Sequence, residues 1–215
     1  MNTLLTFLLK YWYIPPTTVI VILLLYIFYK NFRRITSVSD LPSNMYGIYL
    51  TGIVTYIPDG DTFRFYHTPL FRSSTLRFGI KTLNIRIAGM DAPEGKYFGG
   101  EGQPLHNKSQ KFLSDLIHLN KVKIKLLKTD RYNRILAVVY ITKWLFKVNV
   151  AYKMLEKGMA CVYIGSDAVY DNKKEKYIKK ENIAKRKKLG IWGLKNYESP
   201  MDYKKRMRAK KKSSK

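Results

Sequence analysis

The chain has 215 residues and carries 40 lysines and arginines against 15 aspartates and glutamates, a formal charge of +25. That length suits one globular domain plus an appendage and is enough to bury a core. Self-repulsion of this size opposes compaction, so the charge implies an anionic partner, either nucleic acid or an acidic membrane surface. The single cysteine, Cys161, excludes an internal disulfide framework and a cysteine-based zinc site. Its apolar neighbours Met159, Ala160 and Val162 make it a core position.

After a short N-terminal segment (residues 1–10), Tyr11 to Tyr29 contains no charge. At about 1.5 Å per residue this stretch reaches nearly 30 Å, the thickness of a bilayer's hydrocarbon core, and predicts a transmembrane helix over 11–29. Tyr11, Trp12 and Tyr13 resemble an interfacial aromatic belt, and Pro15-Pro16 starts or kinks the helix. No small-residue cleavage site follows, which favours a retained anchor over a secretory signal. Lys30, Arg33 and Arg34 follow the span, against Lys10 before it, so the larger part is expected on the cytosolic or matrix side. Residues 30–46 are basic and polar and read as a linker.

From residue 47 the pattern changes. Residues 48–57 alternate apolar with small or polar residues, as a half-buried strand does. Pro58-Asp59-Gly60 reads as a turn and Thr62 to Tyr66 as the returning strand. Residues 67–81 form a connection whose Phe71, Arg72, Arg77, Phe78 and Lys81 suit either a hairpin extension or stacking on a single strand. Leu83 to Ala88 is a third strand, followed by a loop holding Gly95, Gly99, Gly100 and Gly102. Pro104 opens a helix with an apolar stripe of Leu105, Phe112, Leu113, Leu116 and Ile117. Lys121–Lys128 and Ile135–Ile141 are strands joined by the turn Asp130-Arg-Tyr-Asn-Arg134, where Asn133 suits positive φ. A helix over Val150–Glu156 closed by Gly158, a strand near 160–164 and a charged helix over 173–189 come next. The tail, with eight basic residues from Tyr203 onward, reads as disordered over 196–215. It also suits contact with anionic lipid.

Many short strands with few helices predict a mainly β fold with α (α+β). A five-stranded barrel of the oligonucleotide-binding type with flanking helices fits the strand count. Four of the 15 carboxylates fall in two short motifs, Asp59-Gly-Asp61-Thr and Arg86-(x4)-Asp91-Ala-Pro-Glu94. Carboxylates gathered that way in so basic a chain suggest a bound cation, and hard divalent ions prefer oxygen ligands. Arginine offers phosphate a planar, permanently charged fork. Other readings stand beside this one. Asp59 and Asp130 suit turns, Asp91-Ala-Pro suits a cap, and Glu94 suits a pair with a surface lysine. His67, His106 and His118 show no ligand spacing, and Trp144 and Trp192 read as packing residues.

Together Asp59-Gly-Asp-Thr62, Arg86-(x4)-Asp91-Ala-Pro-Glu94 and Asp130-Arg-Tyr-Asn-Arg134 resemble, in order, the three signature segments of the staphylococcal nuclease family. Residues 150–162 and 185–192 resemble that family's C-terminal helices. The match runs from about Tyr49 to Leu194 and marks 47–195 as a nuclease-like domain. The resemblance implies a Ca²⁺-dependent endonuclease acting on DNA and RNA. In that reading Asp61, Asp91 and the Ala92 main-chain carbonyl hold the ion, Glu94 activates water, and Arg86 and Arg134 grip the phosphate. Ala92 and Asn133 depart from the bacterial pattern of threonine and glycine. Alanine keeps the carbonyl, and asparagine tolerates a left-handed turn. The N-terminal anchor and basic tail further resemble the family's fungal membrane-anchored mitochondrial endonucleases, which implies a mitochondrial single-pass protein. A catalytically inactive nucleic-acid-binding barrel is the alternative.

Overall fold

The alternation at residues 48–57 becomes strand β1 (Tyr49–Asp59) in the computed structural model, which describes residues 16–69, 79–96 and 101–213. β2 (Thr62–His67) returns beside it through Gly60-Asp61, and β3 (Leu83–Ile87) follows. Later come β5 (Lys121–Thr129) and β6 (Ile135–Lys143), with a two-residue strand, β4 (Met90–Asp91), between β3 and β5. β1, β2, β5 and β6 pair antiparallel in the order β2-β1-β5-β6. β3 then joins both ends, antiparallel to β2 and parallel to β6, so five strands close into a barrel that fits the oligonucleotide-binding type. Closure leaves no exposed edge among them. The inward residues include Val54, Phe63, Phe65, Ile85, Ile124, Ile135 and Val139, all fully buried. Each contributes about 1.5–3 kcal/mol relative to exposure.

Helices cover the barrel. α2 (His106–Ile117) packs on β1 through Leu113 and Ile117, and begins two residues after Pro104 behind a left-handed Leu105. After the hairpin strand β7 (Phe146–Asn149), α3 (Val150–Glu156) buries Ala151, Met154 and Leu155. β8 (Cys161–Val162) pairs with β4, and α4 (Lys174–Arg186) packs on α3 through Tyr177 and Ala184. The α3 exit needs glycine: Gly158 (φ +65°) meets Gly190 (φ +53°), and a Cβ on Gly158 would lie 2.1 Å from the Leu189 carbonyl oxygen. Trp192 packs beside Tyr197, as expected of a packing residue. Trp144 does not: it is 95% exposed at the tip of the β6–β7 hairpin.

Among the described residues, the transmembrane helix expected over 11–29 is not found. Helix α1 spans Pro16–Phe32, 17 residues, and among the described residues no helix is long and apolar enough to cross a membrane. Seventeen residues rise about 25 Å, short of the roughly 30 Å a span requires, and the final turn already includes the charged Lys30. Residues 11–15 of that expectation lie outside the described residues, as do Phe71, Arg72, Arg77, Phe78, Gly99 and Gly100.

Two segments read as irregular are ordered by tertiary contacts. The stretch read as a linker docks on the barrel. The Ile35 amide donates to His67 Nδ1 (3.1 Å), the Arg34 guanidinium stacks 3.8 Å from the Tyr66 ring, and Ile35, Val38 and Leu41 pack against the core. The tail read as disordered contains helix α5 (Pro200–Ser213). Its start is well specified. Ser199 Oγ accepts from the Asp202 amide (3.1 Å), Pro200 occupies the first turn, and Tyr203 and Met207, four residues apart, bury against the domain.

Candidate active site

The barrel's closing strand assembles the site. Pairing of Arg86 with Thr62 across β3–β2 sets Asp61 beside the guanidinium, and pairing of Ile85 with Ile135 brings the start of β6, and Arg134 before it, to the same end. Asp91 stands on β4, held against Cys161 of β8, and Glu94 follows in the next loop. Asp61, Asp91 and Glu94 thereby offer carboxylate oxygens that all lie within 4.8 Å of one another, the cluster of potential metal ligands among the described residues. None of the three histidines joins it. Asp59 stays exposed at the hairpin end.

Two cations answer the carboxylates. Arg86 bridges two of them, with Nη1 2.8 Å from Asp61 Oδ2 and Nη2 2.5 Å from Asp91 Oδ1. The second was not legible in the motifs: Lys204 of α5 places Nζ 2.7 Å from Glu94 Oε1 and 3.7 Å from Asp91 Oδ1. The pairing of Glu94 with a lysine is thus real, but the lysine sits inside the site. Burial opposes charge on Asp61, yet Arg86 and Lys204 outweigh it and hold that carboxyl below its ordinary value. Burial and the neighbouring Asp61 charge push Asp91 up, and burial also raises Glu94. Arg86 is desolvated too, but Asp61 and Asp91 keep it firmly protonated.

Gathering buried like charges is a poor way to gain stability, because desolvation can exceed the attraction recovered. It suits a site built for a cation. The residues fit one: all three donors are hard oxygens, and Asp61 Oδ2 is buried with no hydrogen bond of its own, facing only the Arg86 ion contact.

Arg134 stands across an open cleft of about 1300 Å³ that Arg86, Asp91 and Glu94 also line. Asp130 directs it. Asp130 Oδ1 accepts from the amides of Tyr132 (2.8 Å) and Arg134 (3.0 Å), while Oδ2 accepts from Arg134 Nε (2.7 Å) and lies 2.7 Å from Nη2. Asn133 adopts φ +59°, the left-handed conformation expected of it. These contacts lower the Asp130 carboxyl against the opposing effect of burial. Lys128, Arg131, Lys205 and Arg208 line the same cleft.

A further residue escaped the sequence reading. Gln103 is buried, accepts from the Glu94 amide (3.0 Å) and donates to the Glu198 carbonyl (2.9 Å), so one side chain ties the Glu94 loop to the entry of α5. The signal for α5 was present in Ser199-Pro200-Met201-Asp202, a cap followed by anchors at Tyr203 and Met207, but the surrounding lysines masked it.

A closed oligonucleotide-binding-type barrel, with clustered carboxylates and two arginines on one cleft, defines a phosphodiester hydrolase of the nuclease class. Comparison with known proteins narrows this. Residues 84–193 match the family model described as "Staphylococcal nuclease homologue". The chain is 37% identical over 193 residues to a Komagataella phaffii protein named "Probable endonuclease LCL3", covering 83% of this chain and 85% of that one. A Schizosaccharomyces japonicus protein of the same name is 36% identical over 205 residues, covering 84% and 88% of the two chains. An Eremothecium gossypii protein, also so named, is 32% identical over 239 aligned positions, covering 84% and 87%. The chain belongs to the staphylococcal nuclease homologues and is a hydrolase of that type.

Proposed function

We propose that this chain is a divalent-cation-dependent endonuclease, with calcium as the ion, that hydrolyses phosphodiester bonds in DNA and RNA. The observation that carries this reading is the meeting of Asp61 with Asp91 and Glu94, from two separate segments, with oxygens within 4.8 Å of one another. Arg86 bridges Asp61 and Asp91, and Asp91 and Glu94 line one cleft with Arg134.

Asp61, Asp91 and the Ala92 carbonyl would hold the ion, which when bound supplies positive charge to the phosphate oxygens. Glu94 takes a proton from the attacking water. Its carboxyl, raised by burial, is the better base for it. The water oxygen bonds to phosphorus as the bond to the leaving sugar oxygen breaks. Arg86 and Arg134 bind the non-bridging oxygens and stabilise the charge that builds there. Each guanidinium has five N–H donors, so the contacts to Asp61, Asp91 and Asp130 leave others for phosphate. Lys128, Arg131 and Lys205 draw the polyanion to the cleft.

The purified chain should degrade single-stranded DNA with Ca²⁺ and stop with chelator, and Glu94→Gln should lower the rate about 100-fold or more. Binding without cleavage under any divalent ion would replace the enzyme with a binding module. Mitochondrial placement follows from the family resemblance and is checked by fractionating cells that express the tagged chain.

A further inference from the structure

Lys204 lies beyond the residues that match the family model, 84–193, yet its ammonium reaches Glu94 and Asp91 of the carboxylate cluster. Its position there is fixed from several sides. Tyr203 Oη donates to the Glu101 carbonyl (2.6 Å), Met207 is buried, and Arg206 pairs with both Glu198 oxygens at 2.7 Å. Gln103 bridges the Glu94 amide to the Glu198 carbonyl just before α5. The helix that delivers the lysine and the loop that carries Glu94 are therefore held in one register.

An ammonium is a compact, strongly hydrated point charge that binds the same hard oxygens as a divalent cation. Like charges cannot share those oxygens at such range. We propose that Lys204 is a built-in counter-ion of the metal site: beside Glu94 and Asp91 it supplies the positive charge that the divalent cation would bring, and it swings into the cleft when the cation enters. This rests on the divalent-cation reading given above. Lys204 also lines the cleft that Arg134 and Lys205 share. A nucleic-acid phosphate arriving there gives the displaced ammonium a new partner, so cation and nucleic acid each favour binding of the other.

Calorimetric titration with Ca²⁺ alone tests this on the full chain, comparing wild type with Lys204→Met and Lys204→Gln. The glutamine variant keeps donors for Glu94 without the charge, and so preserves the fold if methionine does not. Lys210→Met is the control, since it removes the same charge from an exposed position on the same helix away from the cleft. Both Lys204 variants should bind Ca²⁺ tenfold or more tightly than wild type, and the Lys210 variant less than threefold. A phosphorothioate oligonucleotide should tighten Ca²⁺ binding in wild type and do so less in the Lys204 variants. Equal Ca²⁺ affinity in wild type and Lys204 variants would overturn the counter-ion role while leaving the metal site intact. Absence of Ca²⁺ binding by every form would overturn both.

Discussion

Asp130→Asn should separate the shape of the Asp130–Arg134 turn from the aim of its arginine. Asparagine keeps Oδ1, which accepts from the Tyr132 and Arg134 amides at 2.8 and 3.0 Å, so the turn survives. It replaces Oδ2, the acceptor for Arg134 Nε, with an amide donor that repels the guanidinium. Hydrogen bonds to charged groups contribute about 1.5–3 kcal/mol. The Arg134 side chain is 26% exposed, which screens the pair and brings the expected cost to about 1–2 kcal/mol. If that energy is what holds Arg134 toward the phosphate, turnover should fall about 5- to 30-fold at about 1.4 kcal/mol per factor of ten. Arg134→Ala removes the contact itself and should cost about 100-fold or more. Because Asp130 acts through Arg134, the double variant should be no slower than Arg134→Ala alone. Steady-state rates on a labelled oligonucleotide, with chemical denaturation in parallel, measure both quantities. Full activity in Asp130→Asn, or additive losses in the double variant, would refute the positioning role.

Other outcomes follow from the same contacts. Gln103→Leu leaves the Glu94 amide and the Glu198 carbonyl without their bonds, so denaturant melts should show a loss of about 2–4 kcal/mol, with slower cleavage because Glu94 is released. Gly158→Ala places a methyl against the Leu189 carbonyl at a left-handed φ and should lower stability by at least ~2 kcal/mol in the same assay. Burial, with Arg34 nearby, depresses His67 from its ordinary value to about 4. The unfolded chain therefore binds this proton more readily, and the histidine's contribution is complete above about pH 6.5 and lost as pH falls toward 4. Glutamine retains an acceptor for the Ile35 amide, so the difference between wild-type and His67→Gln stability should shrink or reverse across that window. A pH-independent difference would reject the assignment.

Much of this molecule is written locally. Strand alternation at residues 48–57 depends only on which side chains must face inward, and the β1, β2 and β3 strands lie where that period, the following turn and the strand expected over 83–88 placed them. The carboxylates and arginines were legible because each sits in a short motif whose turn chemistry is self-contained, as Asn133 shows with its left-handed φ. Length misled at the N-terminus, where an apolar run without charge looked long enough to span a membrane, while among the described residues no helix is long and apolar enough to do so. Composition misled at the other end, where lysines concealed the cap and two anchors of α5.

What only the tertiary structure decided is the company the motifs keep. Sequence could name Asp61, Asp91 and Glu94, but their meeting depends on β3 closing the barrel between β2 and β6, a pairing with no local signature. Gln103 and Lys204 act on Glu94 through contacts between distant segments, and a glutamine or a lysine carries no mark of such a partner in its own neighbourhood. Periodicity and turn chemistry specify elements; long-range packing decides which charges must face one another.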